Sequence, residues 1–265
     1  MSRLVRIEVD TGDLVKQEFT ELEQKNLPFA VMRAVNSTAD ELKNVWAKAM
    51  PRVFDRPTPM TQRAIGVKKA RYTRGSDGQR VSEAAEVYIR DDAFKGTPPA
   101  NYLLPQVEGG TRKPKRFEKL LQARGALPAG MFAVPGKGAP LDAYGNITGG
   151  VTNQILSQLG AQTDRYQNQT EISVKRRKSR RSNKRGDMFA LSRRRGRLPA
   201  GVYERFAFGA RSIVRSILVF VTGVHYTKRY DIFGMAQRSY SKLLPFFFRR
   251  ELDKAVQTSK FRGKA

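Results

Sequence analysis

Apolar and polar residues alternate over Leu4-Val5-Arg6-Ile7-Glu8-Val9, which predicts a short first strand. Asp13 is placed to cap a helix through Glu23, and Asn26-Leu27-Pro28 interrupts it. A second helix is predicted from about Pro28, where a first-turn proline lacks no needed donor, to Met50. Val31, Val35, Ala39, Leu42, Trp46 and Ala49 recur at helical spacing and define its apolar face, and Pro51 ends it. Asp55-Arg56-Pro57-Thr58-Pro59 reads as a rigid extended turn. Strands follow over Ala64 to Tyr72 and Ala84 to Arg90, with Gly75-Ser76-Asp77-Gly78 as their hairpin loop. Strands return at Asp187 to Leu191, Val202 to Phe208 and Ile213 to Val221, the last being the most apolar and therefore central. A closing helix is predicted from about Ile232 to Val256. Its buried face is Phe233, Ala236, Tyr240, Leu243, Phe247 and Leu252, and Pro245 is expected to kink or break it.

Between these groups, residues from about 93 to 150 are rich in Gly and Pro. Two short helices are predicted there, Pro114 to Arg124 and Gly150 to Leu159, the second capped by Thr148. The segment carries too many large apolar residues for disorder, so it reads as an ordered arm. An extended arm alone does not bury Tyr102, Leu103, Leu104, Met131 and Phe132. Exposed apolar clusters mark interaction surfaces, which makes these five candidates for contact with a neighbouring subunit. The alternative is an arm folded back on its own sheet. The layout is α+β: a mostly antiparallel sheet, long N- and C-terminal helices on one face, and a Gly/Pro-rich extended insertion. Residues 1–92 and 187–265 are expected to form the core domain, 93–160 the arm and 161–186 a basic loop.

Charge changes the picture most. The 265 residues carry a formal net charge of +26, and 40% of them are hydrophobic, enough for a core. Cations concentrate in Lys175, Arg176, Arg177, Lys178, Arg180, Arg181, Lys184 and Arg185, and again in Arg193, Arg194, Arg195 and Arg197. Like charges this dense cannot be core; they are solvated or neutralised by an anionic partner. The run from Lys175 to Arg185 holds no aromatic residue, so contact with nucleic acid there is expected with phosphates and without sequence preference. An acidic protein surface is the other partner that fits. Glu8, Asp10, Asp13, Glu18, Glu21 and Glu23 crowd the opposite end of the sequence. This asymmetry suits head-to-tail packing of identical subunits, or simply a solvated acidic first helix.

Candidate chemistry is sparse. The absence of cysteine excludes disulfides and thiolate metal sites. His225 is the single histidine, and Asp91-Asp92 is the adjacent acidic pair a nuclease reading would start from. Pro135-Gly136-Lys137-Gly138 has part of a phosphate loop but lacks the Gly-Lys-Ser/Thr element, so a turn is expected. Gly109-Gly110-Thr111-Arg112-Lys113-Pro114-Lys115-Arg116 reads either as a phosphate cradle or as a basic capping turn. No catalytic residue, metal or cofactor is expected. The first residues lack the apolar run of a signal peptide, and Ile217-Leu218-Val219-Phe220-Val221 is too short to span a bilayer. The expectation is a protein working inside a cell with no membrane partner.

The sequence also resembles a family of phage and prophage virion proteins, the lambda-type minor tail protein Z and other tail-completion or head–tail joining proteins. The resemblance is carried by Val53-Phe54-Asp55-Arg56-Pro57-Thr58-Pro59, Lys95-Gly96-Thr97-Pro98-Pro99-Ala100, and Leu104-Pro105-Gln106-Val107-Glu108-Gly109-Gly110-Thr111-Arg112. Lys115-Arg116-Phe117-Glu118, Ala133-Val134-Pro135-Gly136, Leu141-Asp142-Ala143-Tyr144-Gly145-Asn146 and Gln154-Ile155-Leu156-Ser157 continue it. It closes with Arg197-Leu198-Pro199-Ala200-Gly201-Val202-Tyr203-Glu204-Arg205 and Tyr226-Thr227-Lys228-Arg229-Tyr230. It implies a non-enzymatic virion component of the neck or head-proximal tail, assembled in the host cytoplasm. Such a protein forms a homo-oligomeric ring around the DNA channel against neighbouring connector or tail proteins. The alternative is a sequence-independent nucleic-acid-binding accessory protein.

Overall fold

The computed structural model describes residues 4–7, 21–74, 80–82, 84–93, 96–179, 186–208 and 211–262. The predicted helix from Asp13 lies largely outside them, as does the hairpin loop at 75–78. In chain order the elements begin with β1 (Leu4–Ile7), α1 (Glu21–Val53), α2 (Pro59–Gln62), β2 (Ile65–Lys68), β3 (Tyr72–Arg74), β4 (Arg80–Ser82), β5 (Ala85–Ile89) and α3 (Pro99–Glu108). Next come β6 (Gly110–Thr111), α4 (Arg116–Ala123), β7 (Phe132–Pro135), α5 (Gly149–Gln158) and a 3-10 turn at Arg165–Gln167. Then follow α6 (Glu171–Ser179), β8 (Asp187–Leu191), β9 (Gly201–Phe208), β10 (Arg211–Val221), β11 (His225–Tyr226) and α7 (Ile232–Arg262). The fold is α+β with antiparallel strand pairing throughout the described sheets.

The chain divides into two units: Met1–Gly109 with Thr227–Ala265, and Gly110–Tyr226. This boundary differs from the expected one. Strands β8 to β10 belong with the second half of the predicted arm rather than with the early strands, because the two sets pair in separate sheets.

In the first unit α1 packs along α7 and covers the β1-β5-β2 sheet. Val31, Val35, Ala39, Leu42 and Trp46 are buried along one stripe, as the spacing predicts; Met50 continues it, and Ala49 is partly buried. Prolines do not end the helices. Pro28 and Pro51 lie inside α1, and Pro245 lies inside α7. Burial of a long amphipathic face outweighs the donor each proline removes. The buried face of α7 also differs from the expected one. It follows Ile232, Ala236, Tyr240, Leu244, Phe248 and Leu252, while Phe233 is 40% exposed and Leu243 and Phe247 lie outside the cluster. A repeated four-residue step advances about 40° past a full turn each time, so the buried stripe winds around α7 instead of holding the single face that the alternating spacing assumed.

Polar ties fix this unit. The Asn36 side chain accepts from the Ala70 N–H at 2.7 Å and donates to the Ala70 carbonyl at 3.1 Å, holding α1 to the chain after β2. The buried Tyr230 hydroxyl donates to the Trp46 carbonyl at 2.9 Å, and burial pushes its pKa well above the ordinary tyrosine value. Glu251 on α7 is buried beside Arg33, Arg250 and Lys254. Burial raises its carboxyl pKa, but hydrogen bonds from Arg250 and Lys254 outweigh that and hold it low.

The second unit is built on a four-stranded sheet in the order β7-β10-β9-β8, with α4 and α5 contributing to its core. β10 is an interior strand, as its apolar run predicts. Leu121, Leu127, Ala133, Ile155, Leu156, Val202, Ile217 and Leu218 fill the core. Both predicted helices form, as α4 and α5, and the Thr148 side chain caps α5. The helix α3 lies in the segment expected to be an extended arm, and its Ala100, Leu103 and Val107 bury one face in the first unit.

Candidate anionic-partner interface

Cations dominate the second unit. From Gly110 to Tyr226 the sequence has 23 lysines and arginines against six aspartates and glutamates, a net +17 of the chain's +26. What matters is which of these cations the fold itself uses.

Arg112 is used. Its guanidinium forms a double hydrogen bond to Glu118, with Nη1 to Oε2 at 2.7 Å and Nη2 to Oε1 at 2.5 Å, and it lies over the Phe132 ring at 4.9 Å. Glu118 is fully buried and also accepts from the Lys115 N–H at 2.6 Å and the Ala133 N–H at 2.8 Å. One carboxylate thus joins β6, the start of α4 and β7. Burial raises the Glu118 pKa, but the Arg112 fork and the two backbone donors outweigh it and bring it below the ordinary value. The same geometry decides between the two readings of the Gly109–Arg116 segment. The helix-start donor is capped from within the chain, so the segment is a capping turn. Pro135–Gly138 is likewise a turn, with the Gly136 and Gly138 amides bonded to the Ile217 and Ser216 carbonyls.

Arg215 is used as well. Its Nε and Nη2 reach the buried Glu204 at 2.9 and 2.7 Å, and Glu204 also accepts from the Gly186 N–H at 2.6 Å. Gly186 stands where the basic block joins β8, and a Cβ there would collide with the Arg205 carbonyl. Arg205 lies over Phe189 at 5.1 Å, and Phe189 stacks on Tyr203.

Two dense runs of cations flank β8 in the sequence. The first is the basic block. Thr170 and Ser173 exchange side-chain hydrogen bonds with each other's backbone N–H and so start α6. Its acidic Glu171 sits in the first turn and its cations lie toward the C-terminus, the arrangement the helix dipole favours. Lys175, Arg176, Arg177 and Lys178 are therefore helical rather than part of a loop, and Lys175 is exposed. Arg180, Arg181, Lys184 and Arg185 lie outside the described residues.

The second group is the β8–β9 connection. Arg193, Arg194, Arg195 and Arg197 are all exposed, and no acid among the described residues pairs with them. Arg197 continues the group across the Gly196 turn. Tyr166, on the 3-10 turn before α6, is 96% exposed, an aromatic that charge counting had no means to single out.

The five proposed subunit-contact residues take part in intrachain packing instead. Leu103 is buried, and Tyr102 and Leu104 pack against the same core of the first unit. Phe132 is buried and Met131 packs on the core of the second unit. The arm folds back: α3 carries Tyr102, Leu103 and Leu104, and Phe132 lies on β7 of the second unit's sheet. His225 is exposed on β11, its Nδ1 3.0 Å from the Thr111 hydroxyl, and Asp91 and Asp92 are exposed after β5. Among the described residues no three His, Asp or Glu side chains converge as a metal site, and no helix is long and apolar enough to cross a membrane.

No protein-family model, curated protein or solved structure matches this chain.

Proposed function

We propose that this chain is a structural protein of the phage virion, without enzymatic activity, acting in the neck or head-proximal tail. There it completes the tail or joins it to the head as a homo-oligomeric ring around the DNA channel. The observation that carries this reading is the segregation of charge: a net +17 in one 117-residue unit, in which Arg112 and Arg215 are paired with buried glutamates while the exposed arginine loop is not. A cationic unit of this kind suits the lining of a passage for a polyanion, where binding must be independent of sequence. The acids from Glu8 to Glu23 give the other end of the sequence the opposite charge, as head-to-tail packing of identical copies requires. The resemblance noted in the sequence gives the station, and neighbouring connector or tail proteins are the expected partners.

The test is co-purification with intact virions. A neck protein stays with the particles at a fixed copy number through gradient purification, and an antibody to it labels the head–tail junction. A free nucleic-acid-binding accessory protein, the rival reading, is lost on purification and leaves assembled virions unchanged when deleted.

A further inference from the structure

Resting on the reading that the second unit meets a polyanion, we propose that the β8–β9 hairpin tip is a preformed clamp for the phosphate backbone of duplex DNA. Its contacts are Arg193, Arg194, Arg195 and Arg197. The loop is held from several sides. Arg195 and Leu198 exchange backbone hydrogen bonds of 2.9 and 3.1 Å around Gly196, whose φ of +58° closes the turn. The buried Tyr203 hydroxyl donates to the Pro199 carbonyl at 2.7 Å, and the Phe220 N–H donates to the Ala200 carbonyl at 3.0 Å. Arg194 Nε donates to the Gly196 carbonyl at 3.0 Å, which leaves the terminal amino groups of its guanidinium for a ligand. Four guanidiniums within five residues are thus presented on an ordered backbone, which lowers the entropy lost on binding.

The chemistry favours DNA. Every cation of the tip is arginine, whose planar fork matches phosphate oxygens. Only a partner as densely charged as duplex DNA, about one negative charge per 1.7 Å of axis, supplies anions to four adjacent guanidiniums. Ser192 to Arg197 contains no apolar side chain, whereas protein–protein interfaces have an apolar centre. It also contains no aromatic to stack an unpaired base, which favours duplex over single strand.

The experiment titrates the full-length protein with a labelled random-sequence DNA duplex over a salt series, comparing wild type with R193Q/R194Q/R195Q/R197Q and with the matching fourfold Lys variant. All four positions are exposed, so the thermal midpoint of each variant should equal that of wild type. The Gln variant should bind more weakly, with a log–log salt slope shallower by about 0.9 per lost phosphate contact, or about 3.6 for all four. The Lys variant should recover the slope but not the full affinity. Wild-type affinity and slope in the Gln variant overturn the clamp. So does competition by poly-glutamate equal to that of duplex at matched charge, which would assign the tip to an acidic protein surface. Virion incorporation of the Gln variant is scored separately. Retention at wild-type copy number with weakened DNA binding supports both readings; loss of the wild-type protein from virions sinks the neck assignment without touching the clamp.

Discussion

Two buried residues set the energetics of the two units. Trp46 is fully enclosed, and its Nε1 has no hydrogen-bond partner, so its contribution is packing. Trp46→Ala should cost roughly 3–5 kcal/mol in denaturant unfolding. Because it is the chain's single tryptophan, the native emission maximum should lie well to the blue of free indole, and an exposed-type maximum would contradict the burial. Glu118 does the corresponding work in the second unit through charge. Glu118→Gln leaves Arg112 buried without its anion, a loss of roughly 3–5 kcal/mol. The sign with pH follows from the lowered folded pKa. The ion pair's contribution is complete above the ordinary carboxylate value of 4.5 and is lost as pH falls through the lower folded value. The stability difference between wild type and Glu118→Gln should therefore be constant near neutrality and shrink in acid; a difference that grows in acid would refute the assignment. None of this was visible in the motif, since Glu118 lies six residues from Arg112 and fifteen from Ala133, with no pattern linking the three.

Helix α7 runs through Pro245, which is exposed and can donate no bond to the Ser241 carbonyl. Pro245→Ala should restore one helical hydrogen bond and relieve the ring, stabilising the first unit by about 1–3 kcal/mol, less whatever entropy the freer unfolded chain regains. A lowered thermal midpoint in that variant would show that the proline ring makes contacts the helix needs. The β8 junction behaves oppositely. Gly186→Ala must push its Cβ against the Arg205 carbonyl and shift the Gly186–Glu204 bond, so it should destabilise the second unit although it adds only a methyl group. Hydrogen exchange should show the faster opening on β8 and β9 rather than on α1 or α7.

At the scale of the whole molecule, the segment Gly110–Tyr226 is continuous in sequence and has its own core. Expressed alone, it should fold cooperatively and keep the salt-dependent DNA binding, whereas Met1–Gly109 joined to Thr227–Ala265 should not bind DNA. Equal binding by both pieces would remove the charge segregation from the functional argument. Conversely, deleting residues 97–147 should unfold both units, because it takes Leu103 from one core and Leu121, Leu127 and Ala133 from the other. The sequence by itself determined the α+β class, the interior place of β10, the buried stripe of α1 and the concentration of cations. Each of these is written in a local period or in composition, which a single segment carries within itself. Only the tertiary structure decided where the units divide, that prolines lie inside helices, that the arm's apolar residues are enclosed, and which arginines remain unpaired. Those outcomes depend on partners distant in sequence. The gain from long-range burial overrides a proline's local cost, and an arginine is uncommitted only when no carboxylate has been brought beside it.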